Sequence, residues 1–120
     1  MMITSSDILL EPVIDHAVLA TVKDVLEGPY LQQMIEVLER TSRESLVELQ
    51  KALAAGELNQ SQRLAHKIKG SAGNVGLRRV WALAARIESS TSLEDARSWF
   101  TSFPDHLDDG LKQIRAATAP

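Results

Sequence analysis

Apolar residues recur every three or four positions over most of the chain, the spacing that places them on one side of an α-helix. The longest stripe predicts a helix over about residues 29–55 and consists of Leu31, Ile35, Leu38, Leu46, Leu49 and Leu53, interrupted only by Ser42. Gly56 can end this helix in the left-handed conformation. At about 1.5 Å per residue the helix would be roughly 40 Å long, so other helices must pack along it.

The same spacing predicts four further helices. Their expected positions are about 15–26, 59–75, 77–88 and from 92 onwards. Gly28 and Pro29 separate the first helix from the long one, because proline suits a first helical turn and blocks the helix before it. Gly76 marks a tight reversal, and Pro104 should kink or split the last helix near Phe103.

Polar residues at the expected helix starts are candidate caps. Asp15 is a possible N-cap of the first helix. Asn59 with Gln62, and Ser92 with Asp95, have the spacing of a capping box, in which two side chains satisfy backbone N–H groups of the first turn.

Short connections between amphipathic helices predict antiparallel neighbours. The expected fold is therefore all-α, an antiparallel up-and-down four-helix bundle with the short N-terminal helix over one end. The length of 120 residues is that of one domain. We expect a single domain over residues 1–120, frayed before about residue 7 and after about residue 116. We also expect the protein to be a monomer.

The composition removes several functional classes. The chain contains no cysteine, which excludes disulfides and thiolate catalysis. Its net charge of −3 argues against nucleic-acid binding, which needs a clustered positive face. No apolar run approaches the roughly 20 residues of a membrane span, and the amino terminus does not resemble a signal peptide. A cytoplasmic protein that binds another protein, with no membrane or nucleic-acid partner, is the expectation.

His66 is the candidate functional residue on the third helix. The core positions there are Leu64, Ile68, Ala72 and Val75. His66 lies two residues from both Leu64 and Ile68, about 200° around the helix from each, so its side chain should point into solvent. The alternative for an isolated histidine is an ordinary solvated residue, and His16 and His106 are interpreted in that way.

Small and basic residues surround His66. Gly70 and Gly73 fall inside the predicted helix, where each glycine costs about 1 kcal/mol relative to alanine, and they would let a second protein approach the ring. Lys69, one turn from His66, could offset the charge of a dianionic group on the imidazole. The expected docking face consists of Arg63, Lys67, Gly70, Ser71, Gly73 and Trp81, with Arg78 and Arg79 nearby. For Trp81 a place at the core boundary is the alternative.

Glu88 is a candidate partner of the histidine ring. His66 lies ten residues before Gly76 and Glu88 twelve after it, so on antiparallel helices the two stand about 15 and 18 Å from the turn. Glu88 would then accept a hydrogen bond from Nδ1 and leave Nε2 exposed. A solvated carboxylate without this role is the alternative.

The run AHKIKGSAGNVGL, from Ala65 to Leu77, closely resembles the phosphorylation motif of histidine-containing phosphotransfer (HPt) domains. The matching residues of that motif, His-x-x-Lys-Gly-Ser followed by small residues and glycine, are His66, Lys69, Gly70, Ser71 and Gly76. Within the family the chain looks most like the C-terminal HPt domain of Arc-type hybrid sensor kinases. The resemblance extends from about Glu11 to Ile114.

This resemblance implies a phosphoryl carrier. His66 would be phosphorylated at Nε2, with Lys69 near the phosphoryl group and Gly70 admitting the partner. HPt domains often orient the histidine with a glutamine or similar residue, where this chain has Glu88. The implied partners are receiver domains of response regulators or of a hybrid histidine kinase, which supply the aspartate and Mg²⁺. The chain itself would bind no cofactor or metal.

Two other functions remain as alternatives. A helical adaptor would bind a partner through the same face without accepting phosphate. A metalloprotein would need inward Glu-x-x-His pairs, which the sequence lacks. Autonomous kinase activity is not expected, because the sequence has no nucleotide-binding glycine loop after a strand.

Overall fold

The computed structural model describes residues 5–120, and in this part of the chain the regular structure is entirely helical. The helices are α1 (Ser5–Ile8), α2 (His16–Val25), α3 (Pro29–Ala54), α4 (Leu58–Val75), α5 (Arg78–Glu88), α6 (Leu93–Phe100) and α7 (Phe103–Ala117). None of these helices combines the length and hydropathy needed to cross a membrane.

Four antiparallel members form the bundle, the last of them built from α6 and α7. Helix α3 packs on α4, α4 on α5, and α5 on both α6 and α7, while α6 and α7 return to contact α3. Helix α2 lies against α4, and α1 lies against α5. The predicted all-α bundle with a short helix over one end is confirmed, and α1 is an addition to it.

Buried apolar side chains of all bundle members form one core. Leu64, Ile68, Ala72 and Val75 of α4 are all buried, as the spacing predicted. The facing residues of α5 and α7 include Val80, Leu83, Ile87, Phe103, Leu107, Leu111 and Ile114, each 1% exposed or less except Leu111 at 2%. Because α4 uses this one side for the core, its opposite side is free to face solvent.

The start of α4 differs from the predicted capping box. The helix begins at Leu58, after Glu57, so Asn59 lies within its first turn and is not the N-cap. The amide of Gln62 does not bond back to the helix start. It donates a hydrogen bond to the carbonyl of Ser90 at 2.7 Å, which ties α4 to the segment that follows α5.

In the last bundle member, the predicted cap at Ser92 and the predicted break near Phe103 are present, whereas of the predicted capping box only the bond to the Ser92 hydroxyl is found. The Ser92 hydroxyl accepts a hydrogen bond from the backbone N–H of Asp95 at 3.1 Å and caps α6. The helix then breaks after Phe100, and Phe103 and Pro104 open α7. Proline has no N–H to donate, so it is accommodated in the first turn of a new helix.

Gly76, at the end of α4, is hydrogen-bonded to the residue that precedes α2. Gly76 is left-handed, with φ of 84°, and its carbonyl accepts a hydrogen bond from the backbone N–H of Asp15 at 2.8 Å. A Cβ at Gly76 would stand only 2.7 Å from the Asp15 carbonyl oxygen. The Asp15 carboxylate in turn caps α2 by accepting from Ala17 and Val18. This junction sets α2 against the end of α4.

The two chain ends were expected to fray. At the carboxyl end, Thr118 is buried, its carbonyl accepts from Gln32 Nε2 at 2.6 Å, and the Ala117 carbonyl accepts from Lys23 Nζ at 3.0 Å. The bundle is therefore packed as far as Thr118, two residues beyond the expected limit of 116. The amino-terminal residues 1–4 lie outside the described residues.

Candidate functional site

His66 lies on the solvent side of α4. Its side chain is 69% exposed, whereas the adjacent Ala65 is fully buried. The helix therefore presents the imidazole to solvent from a rigid position, because the same helix is fixed in the core by Leu64 and Ile68.

Glu88, the last residue of α5, contacts the histidine ring. Its Oε1 lies 2.7 Å from Nδ1 of His66, so the two side chains that were placed at similar heights by counting from Gly76 do meet. An ionised carboxylate can only accept a hydrogen bond, so in the neutral form of the ring this contact assigns the proton to Nδ1. The lone pair on Nε2 is then free to react.

The same carboxylate also binds Lys69. Lys69 Nζ lies 2.7 Å from Glu88 Oε2, and both side chains are 28% exposed. The sequence places Lys69 one turn from His66, and the ion pair with Glu88 is an additional finding of the structure. The spacing alone contained a signal for it, since residues three apart share one side of a helix and can reach the same group on a neighbouring helix.

The pKa of the Glu88 carboxyl group is lowered from its ordinary value. The hydrogen bond from Lys69 is the main cause, and partial burial, which opposes ionisation, is outweighed when the contact with His66 is added. Glu88 is consequently ionised at neutral pH, as its role as an acceptor requires.

The two glycines of α4 have different surroundings. A Cβ added at Gly70 would meet no atom within 4 Å, whereas one added at Gly73 would stand 3.2 Å from Cδ1 of Trp81. Gly73 therefore allows α4 and α5 to approach each other. Packing within the described residues gives no reason for glycine at Gly70.

Trp81 lies at the boundary of the core. It is half-buried and packs against the hydrophobic core, and the Arg78 guanidinium lies 4.4 Å from its ring centroid. Its contact with Gly73 uses one edge of the ring. Trp81 therefore offers only part of its surface to a partner.

The basic residues near the motif divide into two groups. Arg63 and Lys67 are exposed on α4, as is the neighbouring Ser71. Arg78 instead binds the Glu11 carboxylate at 2.9 Å, and Arg79 donates to the Glu11 carbonyl at 3.0 Å. These two arginines attach the amino-terminal segment to α5, so they are less available to an acidic partner than the sequence suggested.

A shallow open depression adjoins the histidine ring. Its lining consists of Asn59, Gln62, Arg63, His66 and Glu88. The sequence pattern of Asn59 and Gln62 predicts a helix cap, but these residues precede His66 by seven and four positions and therefore share its side of α4. Within residues 5–120, no group of three or more His, Asp or Glu side chains is arranged to hold a metal ion.

An exposed imidazole on a rigid helical bundle, with Nδ1 in contact with a carboxylate and Nε2 facing solvent, is typical of proteins that carry a group on histidine for a partner. The model of the Hpt domain family matches residues 33–117, which cover α3 to α7 except for the first turn of α3. The chain belongs to the Hpt domain family, and it acts in histidine phosphotransfer within a phosphorelay, with receiver domains as its partners.

A solved structure agrees with this assignment. The chain is similar to histidine-containing phosphotransfer protein B (HptB) from Pseudomonas aeruginosa PAO1, with 26% sequence identity and a TM-score of 0.59. The match covers 88% of this chain and 90% of that one. No curated protein sequence matches the chain significantly. The closer resemblance to Arc-type domains stays a prediction.

Proposed function

We propose that His66 is the phosphoacceptor, which receives a phosphoryl group at Nε2 from the aspartyl phosphate of one receiver domain and passes it to the aspartate of another. The observation that carries this proposal is the exposed ring whose Nδ1 lies 2.7 Å from Glu88. The expected cytoplasmic location and the single-domain boundaries stay predictions.

The transfer follows from the state of the ring. The Nε2 lone pair attacks phosphorus, the bond between phosphorus and the aspartyl oxygen breaks, and the aspartate leaves as a carboxylate. The imidazole then carries phosphorus on Nε2 and hydrogen on Nδ1, and its ring becomes cationic. Glu88 is ionised and in contact with Nδ1–H, so it stabilises this charge as it develops. Attack on the phosphoryl group by a receiver aspartate reverses the sequence.

Lys69 acts on the phosphoryl group. In the unphosphorylated protein it is held by Glu88, one turn from the histidine. A phosphoryl group on Nε2 brings oxygens with greater negative charge into the same region, to which the flexible ammonium can donate. The proposed Mg²⁺ ion belongs to the receiver domain, where it neutralises the phosphoryl oxygens during transfer.

A receiver would dock over the exposed side of α4. Gly70 leaves space beside the ring, and the small side chains at Gly73 and Ser71 do not project towards the partner. The exposed cations Arg63 and Lys67 complement an acidic surface. The transfer needs no further catalytic group from this chain, because positioning of the reacting atoms contributes most of the effect.

The proposal is tested by incubating the protein with a phosphorylated receiver domain. The chain should gain one phosphoryl group through a bond that is labile in acid and stable in base, as phosphohistidine is, and a second receiver should remove it. Binding of the receiver without any transferred label would support the adaptor function instead.

The variant Gly70→Ala separates docking from folding. Because a Cβ meets nothing within 4 Å and alanine favours helix, we expect the free energy of unfolding to stay the same or rise by up to about 1 kcal/mol. The methyl group occupies the space beside His66, so transfer should slow by roughly tenfold or more. Urea unfolding and a transfer time course measure the two effects. Normal transfer would show that the partner does not approach over Gly70.

The variant Glu88→Gln tests the bridging carboxylate. An amide oxygen can still accept from Nδ1–H, but it carries no charge for the cationic ring or for Lys69. We expect transfer to slow by roughly 3- to 10-fold, the effect of losing about 1 kcal/mol, and Glu88→Ala to be slower still. The matched control is Glu94→Gln, on the exposed side of α6. Equal transfer rates for Glu88→Gln and the control would contradict the role of Glu88.

The pH dependence of stability gives a second measurement on the same variant. Since the pKa of Glu88 is lowered in the folded protein, its contribution to stability is present above the ordinary glutamate range and is lost as pH falls through the lowered value. The native protein should therefore have a higher free energy of unfolding than Glu88→Gln at pH 7, and this difference should shrink at pH 3.

A further inference from the structure

Helix α3 has a second regular row of residues on the side away from the core. Its positions follow one another from Tyr30 in alternating steps of three and four residues. We call it the outer row, and its members are Tyr30, Gln33, Val37, Arg40, Glu44, Val47, Lys51 and Ala54. Every position in it is exposed. Its large apolar members are well exposed: Tyr30 at 68%, Val37 at 46% and Val47 at 47%.

The spacing of the outer row is that of a helix-pairing seam. Alternating steps of three and four average 3.5 residues, the repeat that keeps one side of a helix against a partner helix. The core stripe of α3, which includes Leu31, Ile35, Leu38, Leu49 and Leu53, lies on the opposite side and is buried. The bundle therefore uses one side of α3 and leaves the heptad-spaced side without a partner in the described residues.

The outer row is complementary to itself in the antiparallel direction. When two copies of α3 are aligned antiparallel with the two-fold axis passing midway between Arg40 and Glu44 of the outer row, Val37 of one copy faces Val47 of the other. Tyr30 likewise faces Ala54. Each of these pairs occurs twice because of the symmetry, so the apolar members of the row meet each other on both sides of its centre.

Charge selects the same alignment. In the antiparallel arrangement Arg40 of one copy faces Glu44 of the other, and Lys51 faces the uncharged Gln33. A parallel arrangement would place Arg40 against Arg40 and Glu44 against Glu44, which is unfavourable. None of the ion pairs found in residues 5–120 uses Arg40, Glu44 or Lys51, so these charges are available to a second copy.

We propose that the outer row of α3 is a docking surface for a second copy of this chain, and that two chains associate through an antiparallel α3–α3 pair. The 26 residues of α3 give a length of about 39 Å, close to the longest dimension of the protein, 43 Å. The two copies can therefore lie side by side along the full helix. The proposed dimer replaces the monomer that was expected from the sequence.

The histidine ring stays open in this dimer, although Glu44 of the outer row lines a groove together with Lys67 and Ser71 of the expected docking face. The residues around His66 are Asn59, Gln62, Arg63 and Glu88, on α4 and α5, and none belongs to the outer row. The dimer proposal therefore does not rest on the proposed function. A failure of either is measured separately, because sedimentation detects the dimer without any receiver, and receiver-dependent labelling of the Arg40→Glu variant measures transfer without the dimer.

Sedimentation velocity across protein concentrations from about 5 µM to 1 mM tests the dimer. We expect a reversible shift from monomer to dimer in this range. Arg40→Glu places like charges opposite each other in both symmetric pairs and should raise the dimer dissociation constant by roughly tenfold or more. The double variant Arg40→Glu/Glu44→Arg should restore dimerisation. The matched control is Lys112→Glu, which makes the same charge change on the exposed side of α7.

Disulfide cross-linking tests the direction of the pair. The chain has no cysteine, so Val37→Cys and Val47→Cys each introduce a single thiol. A mixture of the two variants should cross-link at least severalfold faster than either alone, because position 37 faces position 47.

Three results would overturn the proposal. The first is a monomer at all concentrations, which would leave the row to a different protein. The second is a dimer that Arg40→Glu does not weaken or that the double variant does not restore. The third is faster cross-linking of either cysteine variant with itself.

Discussion

The variant His66→Gln is expected to accept no phosphoryl group from a phosphorylated receiver. Glutamine retains a polar side chain of similar size, but its amide has no nucleophilic nitrogen, so the covalent intermediate cannot form. The side chain is 69% exposed and contributes nothing to the core, so the melting temperature should change little. Loss of transfer with an unchanged fold therefore measures the chemistry of the imidazole alone.

The other two histidines provide controls for this experiment. His16 is exposed at the start of α2. His106 is half-buried in α7, where burial, assisted by the charge of Arg79, lowers its pKa. His16→Gln should retain the full transfer rate. An acid-labile label that persists in His66→Gln would contradict the assignment and direct attention to one of these residues.

The variant Gly76→Ala is expected to reduce the free energy of unfolding by about 2–4 kcal/mol. The left-handed conformation costs a non-glycine residue roughly 1–2 kcal/mol, and the added Cβ would stand 2.7 Å from the backbone oxygen of Asp15, which cannot move without disturbing the cap of α2. For a domain of this size, each kcal/mol shifts the melting temperature by about 3–5 °C.

Gly70→Ala is the matched control, because it adds the same methyl group to α4 at a right-handed and open position. Urea unfolding of the two variants should give effects of opposite sign, or a loss at Gly76 against no change at Gly70. Equal stabilities would show that the junction of α4 with α2 is not held as described.

The sequence predicted the fold well because the fold depends on local signals. The stripe on α3, the tight reversal at Gly76 and the break near Pro104 each depend on signals within one or two turns of helix, and the structure agrees with all three. Asn59 is the exception among the boundaries. The sequence pattern of a capping box was present, but Gln62 forms a more distant hydrogen bond with Ser90 instead.

The sequence predicted those features of the site that depend on a single helix or turn. The outward direction of His66 follows from its own helix, and its height relative to Glu88 follows from counting residues from the turn. The contact of Lys69 with Glu88, and the attachment of Arg78 to Glu11, depend on how neighbouring helices are rotated and on a segment distant in sequence. Such contacts arise only when the bundle is assembled, so a one-dimensional pattern does not determine them.

The most direct test of the central assignment is nuclear magnetic resonance of the phosphorylated protein labelled with ¹⁵N at histidine. Coupling between phosphorus and nitrogen identifies which ring nitrogen carries the phosphoryl group, and comparison with His16→Gln and His106→Gln identifies the residue. The expected result is a single phosphohistidine, at Nε2 of His66, with hydrogen on Nδ1 facing Glu88. A phosphoryl group on Nδ1 of His66, or on another residue, would contradict it.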